Sequence, residues 1–108
     1  MDQVTAWFWG HEHNQVIYGA FQHNTFKSLQ RGRLIGHGAF PVALDEVPDT
    51  PKFPQVPIRQ DAKKLDLRPD QAFFNHGYAI MRLNGAAAEV AYYQDSDETN
   101  PLFMEGMP

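Results

Sequence analysis

The amino-acid sequence predicts a β-rich chain with little helix, in which about four or five strands form a partial sheet and a C-terminal hairpin. Short apolar runs rich in β-branched and aromatic residues end at glycines, a pattern typical of strands. An Asn84-Gly85 pair separates two alternating apolar runs, and this is a strong signal for a hairpin. No strand–helix–strand pattern occurs in the 108 residues, which suffice for one domain at most.

The first strand is predicted over residues 4–9, an apolar and aromatic run that ends at Gly10. Its continuous apolar character indicates a strand that is buried on both faces. Because such a strand needs neighbours on both sides, we expect that a further part of the domain precedes it in the chain.

Two short strands and a hairpin complete the predicted sheet. Residues 16–18 form the second strand, and residues 33–35 form the third. The third strand leads into residues 36–38, Gly-His-Gly, where glycine permits a tight turn and close approach of the backbone. The hairpin strands are predicted over residues 76–83 and 87–93.

Residues 45–71 are predicted to form a long Pro-rich surface loop, because proline is excluded from helix interiors and central strands. The prolines in this stretch are Pro48, Pro51, Pro54, Pro57 and Pro69. Within the loop we expect one helical turn at residues 61–67. Residues 94–108 are expected to be a tail, acidic at first and then irregular.

The composition excludes several functional classes. The chain has no cysteine, so disulfides and thiolate metal sites are excluded. A formal net charge of −4 argues against a nucleic-acid partner, although a bound metal would still allow a phosphorylated substrate. No apolar run approaches the roughly 20 residues of a membrane span, and the N-terminus does not resemble a signal peptide. We therefore expect no membrane partner and a cytoplasmic location.

The segment Gly10-His11-Glu12-His13-Asn14 is the sharpest motif in the sequence. In extended backbone, residues two apart point to the same side, so His11 and His13 are predicted to face one point while Glu12 faces away. Neutral imidazole is a common ligand for divalent metals. The motif therefore predicts a metal site at the end of the first strand.

Chance alone places one His-x-His in roughly one sequence in five of this composition, so the spacing by itself is a weak signal. The preceding strand and glycine strengthen it. Metallo-β-lactamases need a further Asp-His after the pair, and zincins need His-Glu-x-x-His; neither pattern follows His11. An amidohydrolase barrel would need far more chain than the sequence provides.

Residues 7–13 resemble the last metal motif of the calcineurin-like metallophosphoesterases, in which an apolar strand is followed by Gly-His-x-His. Residues 32–41 resemble the next strand of that family with its glycine turn, and residues 75–93 resemble the closing hairpin. The resemblance covers nearly all of this chain, but only about the last third of the family's domain.

The resemblance implies an α/β fold, a four-layer α-β-β-α sandwich, in which seven ligands hold two metals and a bridging hydroxide attacks phosphorus. It implies that His11 binds the second metal and His13 the first. Manganese, iron, zinc and nickel all suit such ligands. The implied partner is a phosphorylated substrate, bound with the help of an N-terminal part that this sequence lacks.

The remaining metal motifs of the family, Asp-x-His, Gly-Asp-x-x-Asp and Gly-Asn-His, do not occur in this sequence. Five of the seven ligands therefore have no counterpart, and no catalytic residue is assigned. We expect the isolated chain to lack substantial phosphoesterase activity. We also expect it to self-associate, because an unsupported strand at residues 4–9 exposes aromatic side chains and a sheet edge.

Three further histidines have weaker functional interpretations. His37 is a candidate for lining the same end of the sheet as the metal pair, against the alternative of a turn residue. We interpret His76 as a hydrogen-bonded residue at a strand edge, and His23 as a solvated residue. Two other functions stay open: a small non-catalytic metal-binding module, and a structural β module in which His11 and His13 are incidental.

Overall fold

The structure, a computed structural model, describes residues 5–20, 30–43, 58–68 and 72–108. Within these ranges the regular elements are all strands, and the absence of helix there agrees with the predicted β-rich chain. The strands are β1 (Trp7–Trp9), β2 (Gln15–Ile17), β3 (Gly32–Ile35), β4 (Gly77–Asn84), β5 (Ala87–Gln94) and β6 (Phe103–Met107). They form two sheets of three strands each. None of the described segments is a helix able to cross a membrane.

The first sheet has the order β1-β3-β2, with β3 parallel to β1 and antiparallel to β2. Among the described residues β1 is an edge strand, and Trp7 is 49% exposed. Within the described residues β1 therefore has one neighbour, β3, and the exposed aromatic side chain and sheet edge expected for an unsupported first strand are observed. Its aromatic side chains have other partners, since Phe8 stacks on Tyr92 of the second sheet and Trp9 stacks on Tyr18.

The second sheet is an antiparallel meander in the order β4-β5-β6. Asn84 pairs with Ala87, so the hairpin loop consists of Gly85 and Ala86. Gly85 has a φ of 61°, whereas Ala86 does not have a positive φ. A positive φ at the first loop position alone is typical of a type II′ turn, which favours glycine there. The predicted hairpin is confirmed.

Strand β6 corrects the prediction of an irregular tail over residues 94–108. Residues 103–107 pair with β5 along its length, from Tyr92↔Phe103 to Ala88↔Met107. The strand was not predicted from the sequence because it contains Glu105 and Gly106, and neither residue type favours strands. Glu105 is accommodated because its carboxylate has a buried partner in the first sheet.

The predicted helical turn at residues 61–67 is also wrong, because these residues form bends and irregular chain. Their groups are used elsewhere: the Lys63 N–H donates to the Leu102 carbonyl at 2.9 Å, and the Leu65 side chain is buried. Much of the predicted Pro-rich loop, residues 45–57 and 69–71, lies outside the described residues.

An apolar cluster joins the two sheets. Its fully buried members are Ile17 of β2, Val90 and Tyr92 of β5, and Met107 of β6. Burying a side chain of this size stabilises the fold by about 1.5–3 kcal/mol relative to exposure. A second, smaller cluster contains Val42, Leu65 and Leu102, and it attaches the irregular segments to the second sheet.

A buried ion pair also crosses between the sheets. The Arg33 guanidinium of β3 is 0% exposed and donates to both carboxylate oxygens of Glu105, each at 2.8 Å. Its remaining terminal nitrogen donates to the carbonyls of Tyr18 and Gly32. The Tyr92 hydroxyl donates to Glu105 at 2.6 Å. The cluster therefore satisfies every nitrogen of Arg33 and both oxygens of Glu105.

Candidate functional site

The loop that carries the histidine pair, residues 10–14, connects β1 to β2 and is turned rather than extended. The Glu12 N–H donates to the Gly10 carbonyl at 2.8 Å, and the Asn14 N–H donates to the Glu12 carbonyl at 2.7 Å. These are two successive three-residue turns, one centred on His11 and one on His13. His11 has a φ of 70°, a strained value for a side chain other than glycine. The extended backbone from which the shared direction of the two imidazoles was predicted is therefore not formed.

Gly36 holds this loop in place from the end of β3. Its N–H donates to the Asn14 carbonyl at 2.8 Å. A β-carbon at position 36 would lie only 2.0 Å from the backbone oxygen of Glu12, so any larger residue would displace the loop. The prediction that glycine permits close backbone approach at residues 36–38 is confirmed at this position.

Both imidazoles of the pair are open to solvent. His11 and His13 are exposed, whereas Glu12 between them is half-buried. The His13 ring stacks on Phe40, with 4.7 Å between ring centroids and an interplanar angle of 15°. This contact limits the orientations that the His13 ring adopts, while its accessible position leaves it able to bind a ligand.

Glu12, half-buried in the loop, acts electrostatically on Tyr18, the residue that follows β2. Burial raises the pKa of Tyr18, and the negative charge of Glu12 raises it further. The Tyr18 ring in turn stacks on Trp9, with 5.5 Å between centroids. This aromatic contact links β1, which precedes the loop, to the residue that follows β2.

His37 lies in the interior and is only 1% exposed. Its ring is held against β4, because a β-carbon on Gly77 would lie 2.2 Å from Nε2 of His37. Within the described residues neither ring nitrogen has a hydrogen-bond partner. Burial lowers the pKa of His37 from 6.5 to about 4, and the charge of His76 lowers it while Asp95 opposes the change. Thus His37 does not share the solvent exposure of His11 and His13.

His76 precedes β4 and forms the polar contacts expected of a residue at a strand edge. Its Nδ1 lies 2.9 Å from a terminal nitrogen of Arg68 and 3.6 Å from a carboxylate oxygen of Asp95. Its carbonyl accepts the Asp95 N–H at 2.9 Å. The interpretation of His76 as a hydrogen-bonded edge residue is confirmed, whereas His23 lies outside the described residues.

The ligand set of the histidine loop is small. Two accessible imidazoles fit part of the coordination shell of a divalent metal. In the ranges that the structure describes, no three His, Cys, Asp or Glu side chains are grouped so that they could hold a metal ion. His11 and His13 can each supply one ligand, and the described residues do not group the further ligands that a dinuclear centre needs.

Sequence reasoning missed the Arg33–Glu105 cluster. The available signal was a pair of opposite charges within otherwise apolar runs, Arg33 beside Leu34 and Glu105 beside Met104. These two charges are 72 residues apart in sequence, so no local pattern predicts that they meet.

The chain matches no family model, no curated protein and no solved structure.

Proposed function

We propose that this chain is the C-terminal part of a metal-dependent phosphoester hydrolase and contributes His11 and His13 to its metal centre. The supporting observation is the construction of the histidine loop. Two solvent-exposed imidazoles lie in consecutive tight turns, and His11 is held at a positive φ. Such strain costs about 1–3 kcal/mol and persists only where the surroundings impose it, most often at functional sites.

Each imidazole would donate one nitrogen lone pair to a divalent cation, with manganese, iron, zinc and nickel as candidates. The metals would supply charge neutralisation for phosphate oxygens and a hydroxide near neutral pH. The other ligands, the four-layer sandwich and the substrate-binding loops would come from an N-terminal part. Alone, the chain should therefore bind metal weakly and show no substantial hydrolysis.

Metal titration tests the role of the pair directly. Zn²⁺ or Ni²⁺ is added to the chain and to its His11→Ala and His13→Ala variants, with binding followed by calorimetry and by NMR of the imidazole protons. Loss of one of two ligands should weaken binding about tenfold or more, because each ligand contributes more than about 1.4 kcal/mol. The control is His76→Ala, which removes an imidazole that already contacts Arg68. Equal binding by all four proteins would refute the proposal.

A non-catalytic metal-binding module is the second candidate. It requires only the two exposed imidazoles of His11 and His13 and no catalytic residue. Hydrolysis of an aryl phosphate with added Mn²⁺ measures whether the chain alone has phosphoesterase activity. Turnover that His13→Ala abolishes would overturn the prediction that the chain is inactive alone. An upstream reading frame with Asp-x-His and Gly-Asp-x-x-Asp motifs would favour the hydrolase over the module.

A further inference from the structure

Arginines gather at the end of the first sheet that is remote from the histidine loop. β3 begins beside Arg31 and ends beside Gly36, which contacts the histidine loop. At about 3.3 Å per residue the two ends are about 16 Å apart. Arg31, Arg33 and Arg59 all reach the neighbourhood of Glu105 or Phe103 at this remote end. A protein with a net charge of −4 thus concentrates cations at one place.

A cleft of about 260 Å³ opens beside these side chains. Two of the three arginines, Arg31 and Arg59, line it together with Gly19, Ala20 and Gln30. None of the described residues that line it is a carboxylate. The described part of the lining therefore consists of two arginines, one glutamine and two small residues.

The hydrogen bonds of this region leave part of Arg31 uncommitted. Glu105 already accepts from both Arg33 and the Tyr92 hydroxyl. Its remaining contact with Arg31 is long, at 3.5 Å from Nε. A guanidinium carries five N–H donors, and among the described residues this long contact to Glu105 is the one ion pair of Arg31.

Contacts with Asp61 and Phe103 orient the Arg59 guanidinium but use only part of its hydrogen-bond donors. Its Nε and one terminal nitrogen donate to Asp61 at 2.9 and 2.6 Å, and its guanidinium carbon lies 5.0 Å from the centre of the Phe103 ring. The other terminal nitrogen is unused by these contacts. Among the described residues of this region, Arg31, Arg33 and Arg59 exceed Glu105 and Asp61 by one positive charge.

We propose that this cleft, the arginine cleft, binds a phosphate group, either as inorganic phosphate or at the end of a small phosphomonoester. A tetrahedral dianion offers several acceptor oxygens to two guanidinium forks, which is the geometry that arginine recognises best. The cleft volume accommodates a phosphate with a small organic group attached. This site does not rest on the function proposed for His11 and His13, because it lies at the other end of the sheet.

Binding is tested by titrating the full chain with inorganic phosphate, and separately with glycerol phosphate, while backbone and arginine side-chain NMR signals are recorded. We expect saturation at about millimolar concentrations and the largest shifts at residues 19, 20, 30, 31 and 59. Arg31→Gln and Arg59→Gln should each weaken binding about tenfold, as expected for the loss of a charge-assisted hydrogen bond. Arg31→Lys keeps the charge but loses the fork, and it should also weaken binding.

Arg82→Gln is the matched control, because Arg82 is an exposed arginine on β4 away from the cleft. It should bind phosphate within about twofold of the unmodified chain. Circular dichroism establishes that each variant is folded before its affinity is compared. The proposal is overturned if phosphate does not bind at about 10 mM, or if Arg82→Gln weakens binding as much as Arg31→Gln. Stronger binding of glycerol phosphate than of inorganic phosphate would identify a phosphomonoester as the ligand, and equal binding would identify the free anion.

Discussion

Arg33 and His37 are close in sequence and almost equally buried, at 0% and 1% exposure. The two side chains differ in how their polar atoms are hydrogen-bonded. Both side chains reach the second sheet. Arg33 donates from every nitrogen and forms a two-bond ion pair with Glu105. His37 packs against Gly77, and neither of its nitrogens has a hydrogen-bond partner within the described residues.

The difference shows two ways of placing an ionisable group between the sheets. The Arg33 charge is retained because a carboxylate compensates it, and the pair joins β3 to β6. Burial raises the pKa of Glu105, but hydrogen bonds from Arg33 and Tyr92 outweigh this and lower it from 4.5. His37 has no such compensation, so burial keeps it neutral instead. The stability at Arg33 therefore requires the charged side chain, whereas the stability at His37 requires the neutral imidazole.

Glu105→Ala should have the largest effect, a loss of about 3–5 kcal/mol in the free energy of unfolding, because it leaves the Arg33 charge buried and unpaired. Urea denaturation followed by circular dichroism measures the loss. The matched control is Glu89→Ala, which removes an exposed glutamate of β5 and should change the stability by less than about 0.5 kcal/mol. A loss below about 1 kcal/mol for Glu105→Ala would mean that the ion pair does not hold the sheets together.

Acidification should act through His37 and destabilise the fold by about 3 kcal/mol in total. Its pKa is lowered from 6.5 to about 4 in the folded state, so the unfolded chain takes up the proton first. The stability is therefore complete above pH 6.5 and is lost as the pH falls to about 4. Glu105 adds to this loss of stability only below about pH 4.5, because its pKa in the folded protein lies below its usual value of 4.5.

Urea denaturation at intervals between pH 7 and pH 4.5 measures the effect of pH, with His37→Leu as the reference protein. Subtracting the two profiles isolates the contribution of His37. Identical slopes for both proteins would show that the His37 ring is solvated or paired in the folded protein.

Gly77→Ala should cost about 1–3 kcal/mol through overpacking. The added β-carbon would lie 2.2 Å from Nε2 of His37 and 2.5 Å from the Tyr93 carbonyl oxygen. Adding His37→Ala to Gly77→Ala should restore the stability lost through the clash with the imidazole ring, but not the stability lost through the clash with the Tyr93 carbonyl. A double-mutant cycle measures the coupling energy between positions 37 and 77. Gly106→Ala in β6 is the control, since no atom lies within 4 Å of its added carbon. Strict additivity of the two substitutions would contradict the close packing of His37 on Gly77.

His37→Leu should have the smallest effect, a gain of about 1 kcal/mol at pH 7. Leucine has a similar volume and removes two buried nitrogens that have no hydrogen-bond partner in the part of the chain that the structure describes. Thermal or urea unfolding measures the change. A loss of stability instead would indicate that a bound water or another ligand satisfies the imidazole.

Local patterns predicted the parts of the fold that depend on short stretches of chain. The hairpin follows from alternating runs around a two-residue loop, and the close approach at Gly36 follows from a glycine directly after a strand. The parallel pairing of β1 with β3 and the pairing of β6 with β5 were not predicted, because each depends on which distant segment lies alongside. The turned backbone at His11 was missed because a histidine rarely adopts a positive φ.

By itself the sequence determined the β-rich character, the position of the hairpin, and a pair of histidines directly after the first strand. These features follow from residue types and spacings that act within a few bonds. Only the tertiary structure decided that Arg33 meets Glu105, that His37 is enclosed with no hydrogen-bond partner among the described residues, and that Arg31 and Arg59 line one cleft. Side chains far apart in sequence meet only when the whole chain packs, and the cost of burying each polar group depends on the neighbours that packing provides.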